Sequence, residues 1–306
     1  MSSIPATFRA YRYQAYGAPD QVLELRSDVS QAPLAPTQVR VKVHSAAINP
    51  VDVKLTTGHE RGLLSESPTS SKPFGIGFDG AGTVVEVGSA VREDGDGALH
   101  VGDAVYFMTS FSTFGSFAEY LTVDQSFVAR KPATLSFDQA ASVPLVGLTS
   151  YQALVEHAKL QKGERVLILG GSSATGIYAI QIAKAVARTS PRRPARGTPR
   201  SSSRSAPTKS SSTRPQTCCA RALVARHAVS IADPKAASKH GAKLVGSILV
   251  YPSASHLTEL TRLIEDGKIV TPIDSVHRFE NVLDAVARIS SRRATGKVVI
   301  QVAPDA

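Results

Sequence analysis

The sequence predicts an α/β protein made of a β-rich domain and an α/β domain. Three observations carry this: closely spaced β-type runs through residues 8 to 130, one apolar strand that turns through small residues into a helix at 165–187, and a helix–strand return near the C-terminus. At 306 residues and 42% hydrophobic, the chain is long enough for two packed cores.

The β-type runs are Val39-Arg40-Val41-Lys42-Val43, Gly82-Thr83-Val84-Val85-Glu86-Val87 and Ala104-Val105-Tyr106-Phe107, separated by Gly and Pro. That spacing predicts a compact, barrel-like β domain. Before them, Ala10 to Leu25 predicts two strands around the turn Gly17-Ala18-Pro19-Asp20. After Pro144 the pattern becomes helical over Leu148 to Val155, and Lys162-Gly163-Glu164 makes a turn. Arg165 to Leu169 is an apolar run of parallel-strand type, Gly170 to Gly176 a small-residue loop, and Ile177 to Ala187 a helix. Near the end, Leu257 to Glu265 and Phe279 to Ile289 have helical spacing, and Gly296 to Val302 is a final strand.

The formal net charge of +10 is local: ten cations and no acid lie between Arg188 and Arg226, which leaves 25 cations against 25 anions elsewhere. A tract of Ser, Arg, Pro and Thr from Thr189 to about Gln216 has too few apolar residues for a core of its own. Both cysteines, Cys218 and Cys219, are adjacent and form half of no metal site. No apolar run is long enough to span a membrane and no signal-peptide pattern opens the chain, so a cytoplasmic protein is expected, with mitochondrial import a minor alternative.

The order of motifs resembles the zinc-free, quinone oxidoreductase-like and enoyl reductase-like branch of the medium-chain dehydrogenase/reductase superfamily. The carriers are Ala47-Ile48-Asn49-Pro50-Val51-Asp52-Val53-Lys54, Gly77-Phe78-Asp79-Gly80-Ala81-Gly82, Val101-Gly102-Asp103, Gly115-Ser116-Phe117-Ala118-Glu119-Tyr120, Pro144 to Tyr151, Val166 to Lys184, Gly267-Lys268-Ile269 and Gly296-Lys297-Val298-Val299. The resemblance implies a GroES-like catalytic domain over 1–135, a Rossmann-type doubly wound cofactor domain over 136–265 that is incomplete, and a return of 266–306 to the catalytic domain. It implies an NADPH-dependent oxidoreductase acting on a quinone or enone, with NADH not excluded and a homodimer left open.

Glycines where a strand becomes a helix let backbone N–H groups approach a pyrophosphate, whose charge the helix N-terminus favours. Gly170, Gly171, Ser172, Ser173, Ala174, Thr175, Gly176 and Ile177 are therefore the expected cofactor-binding positions, with Ala174-Thr175 departing from the family's Gly-Val. Zinc relatives need Cys and His ligands, but no cysteine precedes Cys218, Gly77-Phe78-Asp79 replaces their Gly-His-Glu, and the literal Gly58-His59-Glu60 reads as an exposed loop. No metal is expected. Hydride transfer then relies on positioning and hydrogen bonds to a developing oxyanion. In the family, the Asn of this motif and a helix Thr line the nicotinamide pocket, so Asn49 and Thr149 are the first catalytic candidates, with Lys54 and Tyr120 behind them. Asn49 also reads as a turn residue before Pro50, and Thr149 as an N-cap ahead of Gln152. Lys297 reads as a cofactor-edge contact or a solvated strand-end lysine, and Asp52, Asp79 and Asp103 as turn-capping residues.

After the first Rossmann helix the family's second strand and ribose-gripping loop are absent. Arg200 to Thr213, re-read in the other frame, permit Val-Val-Lys-Ser-Leu-Gly-Ala-Asp-Glu-Val-Ile-Glu-Tyr, a family-like segment, within a suspect tract of about 187–219. An out-of-frame translation over this tract is therefore expected, with cofactor binding weakened in this chain. The competing classes are a catalytically dead relative and a nucleic-acid or partner-binding protein using the Ser/Arg arm; lacking interleaved aromatics, the arm is not expected to bind nucleic acid.

Overall fold

The computed structural model describes residues 3–92, 94–95, 97–164, 166–187, 221–224, 227–230 and 243–303. The basic tract from residue 188 to 220, and with it almost all of the expected out-of-frame segment, lies outside the described residues. Near the N-terminus β1 (Thr7–Arg12) pairs antiparallel with β2 (Glu24–Ser30). The predicted turn between them contains a short helix, α1 (Pro19–Val22), opened by Pro19, whose ring presets φ for a first helical turn.

The main sheet has seven strands: β3 (Gln38–Ile48), β4 (Asp79–Val87), β5 (Ala104–Met108), β6 (Tyr120–Asp124), β7 (Val128–Arg130) and, from the far end of the chain, β12 (Ile273–Arg278) and β13 (Lys297–Gln301). Their order is β12-β13-β3-β4-β5-β7, with β6 also paired to β3. β3 is central, and Val39, Val41, Val43, Ala46, Ala47 and Ile48 are all buried along it. Its one charged buried side chain, Arg40, bonds Glu86, Gln31 and the Ala32 carbonyl. β13 pairs antiparallel with β3, Val298 opposite Ile48, so the two ends of the chain build one sheet. This is the arrangement the resemblance implies for a GroES-like domain.

After β3 comes α2 (Pro50–Thr56). The crossing into the second half runs through α3 (Phe137–Ala141), capped by Ser136, and α4 (Pro144–Tyr151), which passes directly into a π-helix over Gln152–His157. The predicted helix over 148–155 thus exists but begins earlier and changes its winding midway. β8 (Val166–Leu169) leads through the small-residue loop into α5 (Ala174–Ala187). A second sheet joins β8 to β9 (Arg221–Val224), β10 (His227–Ser230) and β11 (Lys243–Ser247) in the order β11-β10-β9-β8; β10 and β11 are parallel, and β9 is antiparallel to both its neighbours. α6 (Ala254–Glu265) and α7 (Val282–Ser290) complete the described α-helices. One apolar cluster joins α3 to α6, with Leu148, Tyr178, Leu257 and Leu260 at its centre; a second fills the β domain around Val41, Ile48, Phe107 and Phe117.

Candidate active site

A cleft of about 330 Å³ lies where the two halves meet. The end of β3 and the start of α2 contribute Ile48 to Val51 and Lys54, α4 contributes Leu145, Val146 and Thr149, and the start of α5 contributes Ser173 to Thr175. Met108, Phe111, Ile248, Leu249 and Val250 supply further apolar lining, and Gly296 and Lys297 close the side nearest β13. Seven sequence-predicted site residues therefore converge here: Asn49, Lys54, Thr149, Ser173, Ala174, Thr175 and Lys297. Gly170, Gly171, Ser172, Gly176 and Ile177 lie in the adjoining loop and helix rather than on the cleft wall, and Tyr120 is elsewhere, packed edge-on to Phe8 on β6.

Strand register brings the polar floor together. Ala47 on β3 faces Asp79 on β4, and Ile48 faces Val298 on β13, so Asn49, Asp79 and Lys297 meet although Lys297 and Asn49 are 248 residues apart. The Lys297 Nζ donates to Asn49 Oδ1 at 2.5 Å, Asp79 Oδ2 at 2.9 Å and the Ile48 carbonyl at 3.3 Å. Asn49 Nδ2 donates to Asp79 Oδ2 at 3.0 Å and to the Ala47 carbonyl at 3.3 Å. Asp79 Oδ1 accepts from the Leu145 N–H at 2.8 Å, placing the carboxylate at the N-terminus of α4, where a negative charge is favoured.

This network revises three expectations. Lys297 is 2% exposed, so it is not a solvated strand-end lysine. Asp79 caps more than a turn: it is the fully buried counter-ion of Lys297 and ties β3, β4, β13 and α4 together. Asn49 lines the cleft as expected, but both of its amide hydrogens are committed inside the protein. Asp52 does cap the start of α2, its Oδ2 accepting the Asn49 N–H at 2.6 Å. Burial first, and then the neighbouring Asp79 charge, push the Asp52 carboxyl up to about 7.

Thr149 sits inside α4 rather than at an N-cap, faces the cleft, and its hydroxyl donates no hydrogen bond within the described residues. Ser150, next to it, donates to the Thr175 carbonyl at 2.9 Å and so ties α4 to the start of α5. In the glycine loop, Gly170 has φ +73°, and a Cβ at Gly176 would lie 2.2 Å from the Gly170 carbonyl oxygen, so the strand-to-helix turn closes only with glycine there. Ser173 caps α5: its Oγ accepts the Gly176 N–H at 3.1 Å and donates to the Gly170 carbonyl at 2.8 Å. Its hydroxyl is thereby spent locally, whereas Ser172 is exposed. The N–H groups of Ala174 and Thr175, in the first turn, have no intrahelical acceptor and suit an anion.

At the mouth, Lys54 pairs with Glu60 at 2.8 Å. Sequence reasoning placed Glu60 in an exposed loop and missed that this loop folds over the cleft. It also missed the Ile248–Val250 wall, which follows the basic tract in the sequence and carries no motif. A zinc ion does not fit this donor set. Among the described residues no group of three or more His, Cys, Asp or Glu converges, and of the two buried carboxyls here Asp79 already holds an ammonium while Asp52 accepts the Asn49 N–H.

Residues 35–133 match the alcohol dehydrogenase GroES-like domain and residues 121–300 match the zinc-binding dehydrogenase family. A 2-methylene-furan-3-one reductase of Solanum lycopersicum is 33% identical over 99% of this chain and 81% of its own length. The chain belongs to the medium-chain dehydrogenase/reductase family, in its quinone oxidoreductase-like branch. It is thus an oxidoreductase with a GroES-like domain and a Rossmann-like domain. A chloroplastic NADPH-dependent alkenal/one oxidoreductase of Arabidopsis thaliana is 32% identical over 99% of this chain and 82% of its own. The quinone oxidoreductase structure from Coxiella burnetii superposes with a TM-score of 0.71 at 22% identity, over 97% of this chain and all of that one, which supports the family's fold. No described helix is long and apolar enough to cross a membrane.

Proposed function

We propose that this chain transfers hydride from NADPH to the activated double bond of an α,β-unsaturated carbonyl compound, or to a quinone, without a metal ion. The observation that carries the reading is a cleft in which the glycine-loop helix start, a Thr149 hydroxyl that donates to no described residue and an apolar wall face one another. When bound, the reduced nicotinamide supplies the hydride. The residues of the chain position it and receive the charge that develops. The Ala174 and Thr175 N–H groups suit its pyrophosphate, and Gly176 lets that backbone approach.

Hydride addition at the β-carbon of an enone shifts an electron pair onto the carbonyl oxygen. Thr149 is the group placed to hydrogen-bond that oxygen, because Asn49 has no free amide hydrogen. The role of Asn49 in this reading is to orient the buried Lys297, whose Nζ donates to Asn49 Oδ1 and to its counter-ion Asp79, and so to fix the polar floor of the cleft. Met108, Phe111, Leu145 and Val146 exclude water from the path of the hydride, and the Lys54–Glu60 pair stands at the entrance. The α-carbon takes its proton from solvent. A preference for NADPH over NADH is supported by the name of the Arabidopsis relative.

The test is titration with NADPH and NADH by nicotinamide fluorescence, followed by turnover of a small enone, for this chain and for a version with residues 187–219 restored to the other frame. Saturable NADPH binding with enone reduction is expected, tighter in the restored version. Binding without turnover of either enones or quinones would show a non-catalytic relative instead.

A further inference from the structure

The π-helix over Gln152–His157 is the least expected backbone feature of the molecule, and insertions of this kind often accompany functional sites. It begins three residues after Thr149, on the same continuous helix. Widening the helix there aligns two side chains with one short segment that has no regular structure of its own, Ile248 to Ser253. The first three residues of that segment form the cleft wall opposite α4.

Gln152 is completely buried. Its Oε1 accepts the Tyr251 N–H at 3.2 Å and its Nε2 donates to the Tyr251 carbonyl at 2.8 Å. One carboxamide thus does for Tyr251 what a neighbouring strand does for a β residue, satisfying both backbone groups. One helical step further, Glu156 accepts from the Tyr251 hydroxyl at 2.8 Å and lies 3.0 Å from His256 Nε2. His256 Nδ1 lies 3.4 Å from Gln152 Nε2, so a neutral imidazole protonated at Nε2 satisfies both contacts. Burial, and then the hydrogen bond to Glu156, hold the Tyr251 phenol up at about 12, so it stays a donor throughout the neutral range.

We infer that Gln152 and Glu156 are positioning residues: by clasping Tyr251 they hold the Ile248–Val250 wall at a fixed distance from Thr149 and so set the width of the cleft. Neither touches the cleft, and both act through the segment they hold. The inference rests on the proposed cofactor-binding function of that cleft. A wall that is not held leaves the nicotinamide and the substrate free to separate, and misplacement by about 1 Å is enough to lower turnover sharply.

The experiment uses the full chain with Gln152→Met, which keeps length and removes both hydrogen bonds, Gln152→Glu, which keeps only an acceptor, and Val39→Ala as a control that weakens the β core away from the cleft. Amide exchange at Ile248 to Tyr251 and NADPH affinity are measured at a temperature where every variant is folded. Expected are faster exchange at these amides and about tenfold weaker NADPH binding in Gln152→Met, with at least as large a loss in Gln152→Glu, whose carboxylate faces the Tyr251 carbonyl, and neither effect in Val39→Ala. Unchanged exchange in Gln152→Met overturns the clasp. Faster exchange with unchanged affinity overturns its role in positioning. If the unsubstituted chain binds neither NADPH nor NADH, the functional reading falls, and the exchange result alone then decides whether the clasp holds the wall.

Discussion

The Asp52 carboxyl makes the stability of this protein depend on pH in a direction opposite to most acids. It is 1% exposed, among the described residues its Oδ1 has no hydrogen-bond partner, and its Oδ2 accepts the Asn49 N–H. The neighbouring cation, Lys297, already donates to Asn49, Asp79 and Ile48. Burial therefore raises the folded-state value from 3.8 to about 7. A folded state that binds its proton more tightly than the unfolded chain is favoured at low pH, so the contribution is complete below about 4 and is lost as pH rises through about 7. Over the full span this amounts to about 4 kcal/mol, and about 3 kcal/mol of it falls between roughly pH 5 and pH 8. Asp52→Asn keeps the acceptor oxygen for Asn49 and removes the titration. Urea unfolding across that range should show the unsubstituted chain losing about 3 kcal/mol more than Asp52→Asn. Equal slopes in the two proteins would refute the argument.

Three further outcomes follow from the site. Lys297→Met leaves Asp79 buried without its cation and should lower unfolding free energy by about 3–5 kcal/mol in denaturant titration, with Lys297→Met/Asp79→Asn recovering part of the loss. Gly176→Ala sets a Cβ against the Gly170 carbonyl and should weaken NADPH binding at least about tenfold in a fluorescence titration while lowering the melting temperature. Thr149→Val removes a hydroxyl that donates to nothing among the described residues, so kcat should fall about tenfold or more while stability changes by less than about 1 kcal/mol.

The parts of the molecule that were legible in the sequence are those set by local pattern. Alternation along Val39–Val43, the apolar run before Gly170 and the helical spacing of 257–265 each encode their own element, and the ordered motifs from Asn49 to Gly176 encode the family. What stayed hidden depends on pairing across the chain. Beside Gly296, Lys297 has the look of a surface lysine, and only the register of β13 on β3 buries it against Asp79. For the same reason the amide of Asn49 could not be seen to be fully engaged. The π-helix left no composition signal, since it accompanies the docking of Gln152 on Tyr251, 99 residues away. The Gly58-His59-Glu60 loop carried no signal either, because its place at the cleft comes from backbone bonds to Lys54 and Leu55 and from the Lys54–Glu60 pair rather than from any motif.

The central claim is that this cleft carries out metal-free hydride transfer from a nicotinamide to an activated alkene. It is tested most directly by following NADPH absorbance with a simple α,β-unsaturated ketone after exhaustive dialysis against a chelator. The account predicts NADPH oxidation matched one for one by the saturated ketone, at a rate unaffected by the chelator. Loss of turnover on chelation that zinc restores, or no NADPH oxidation with any enone or quinone, would contradict it.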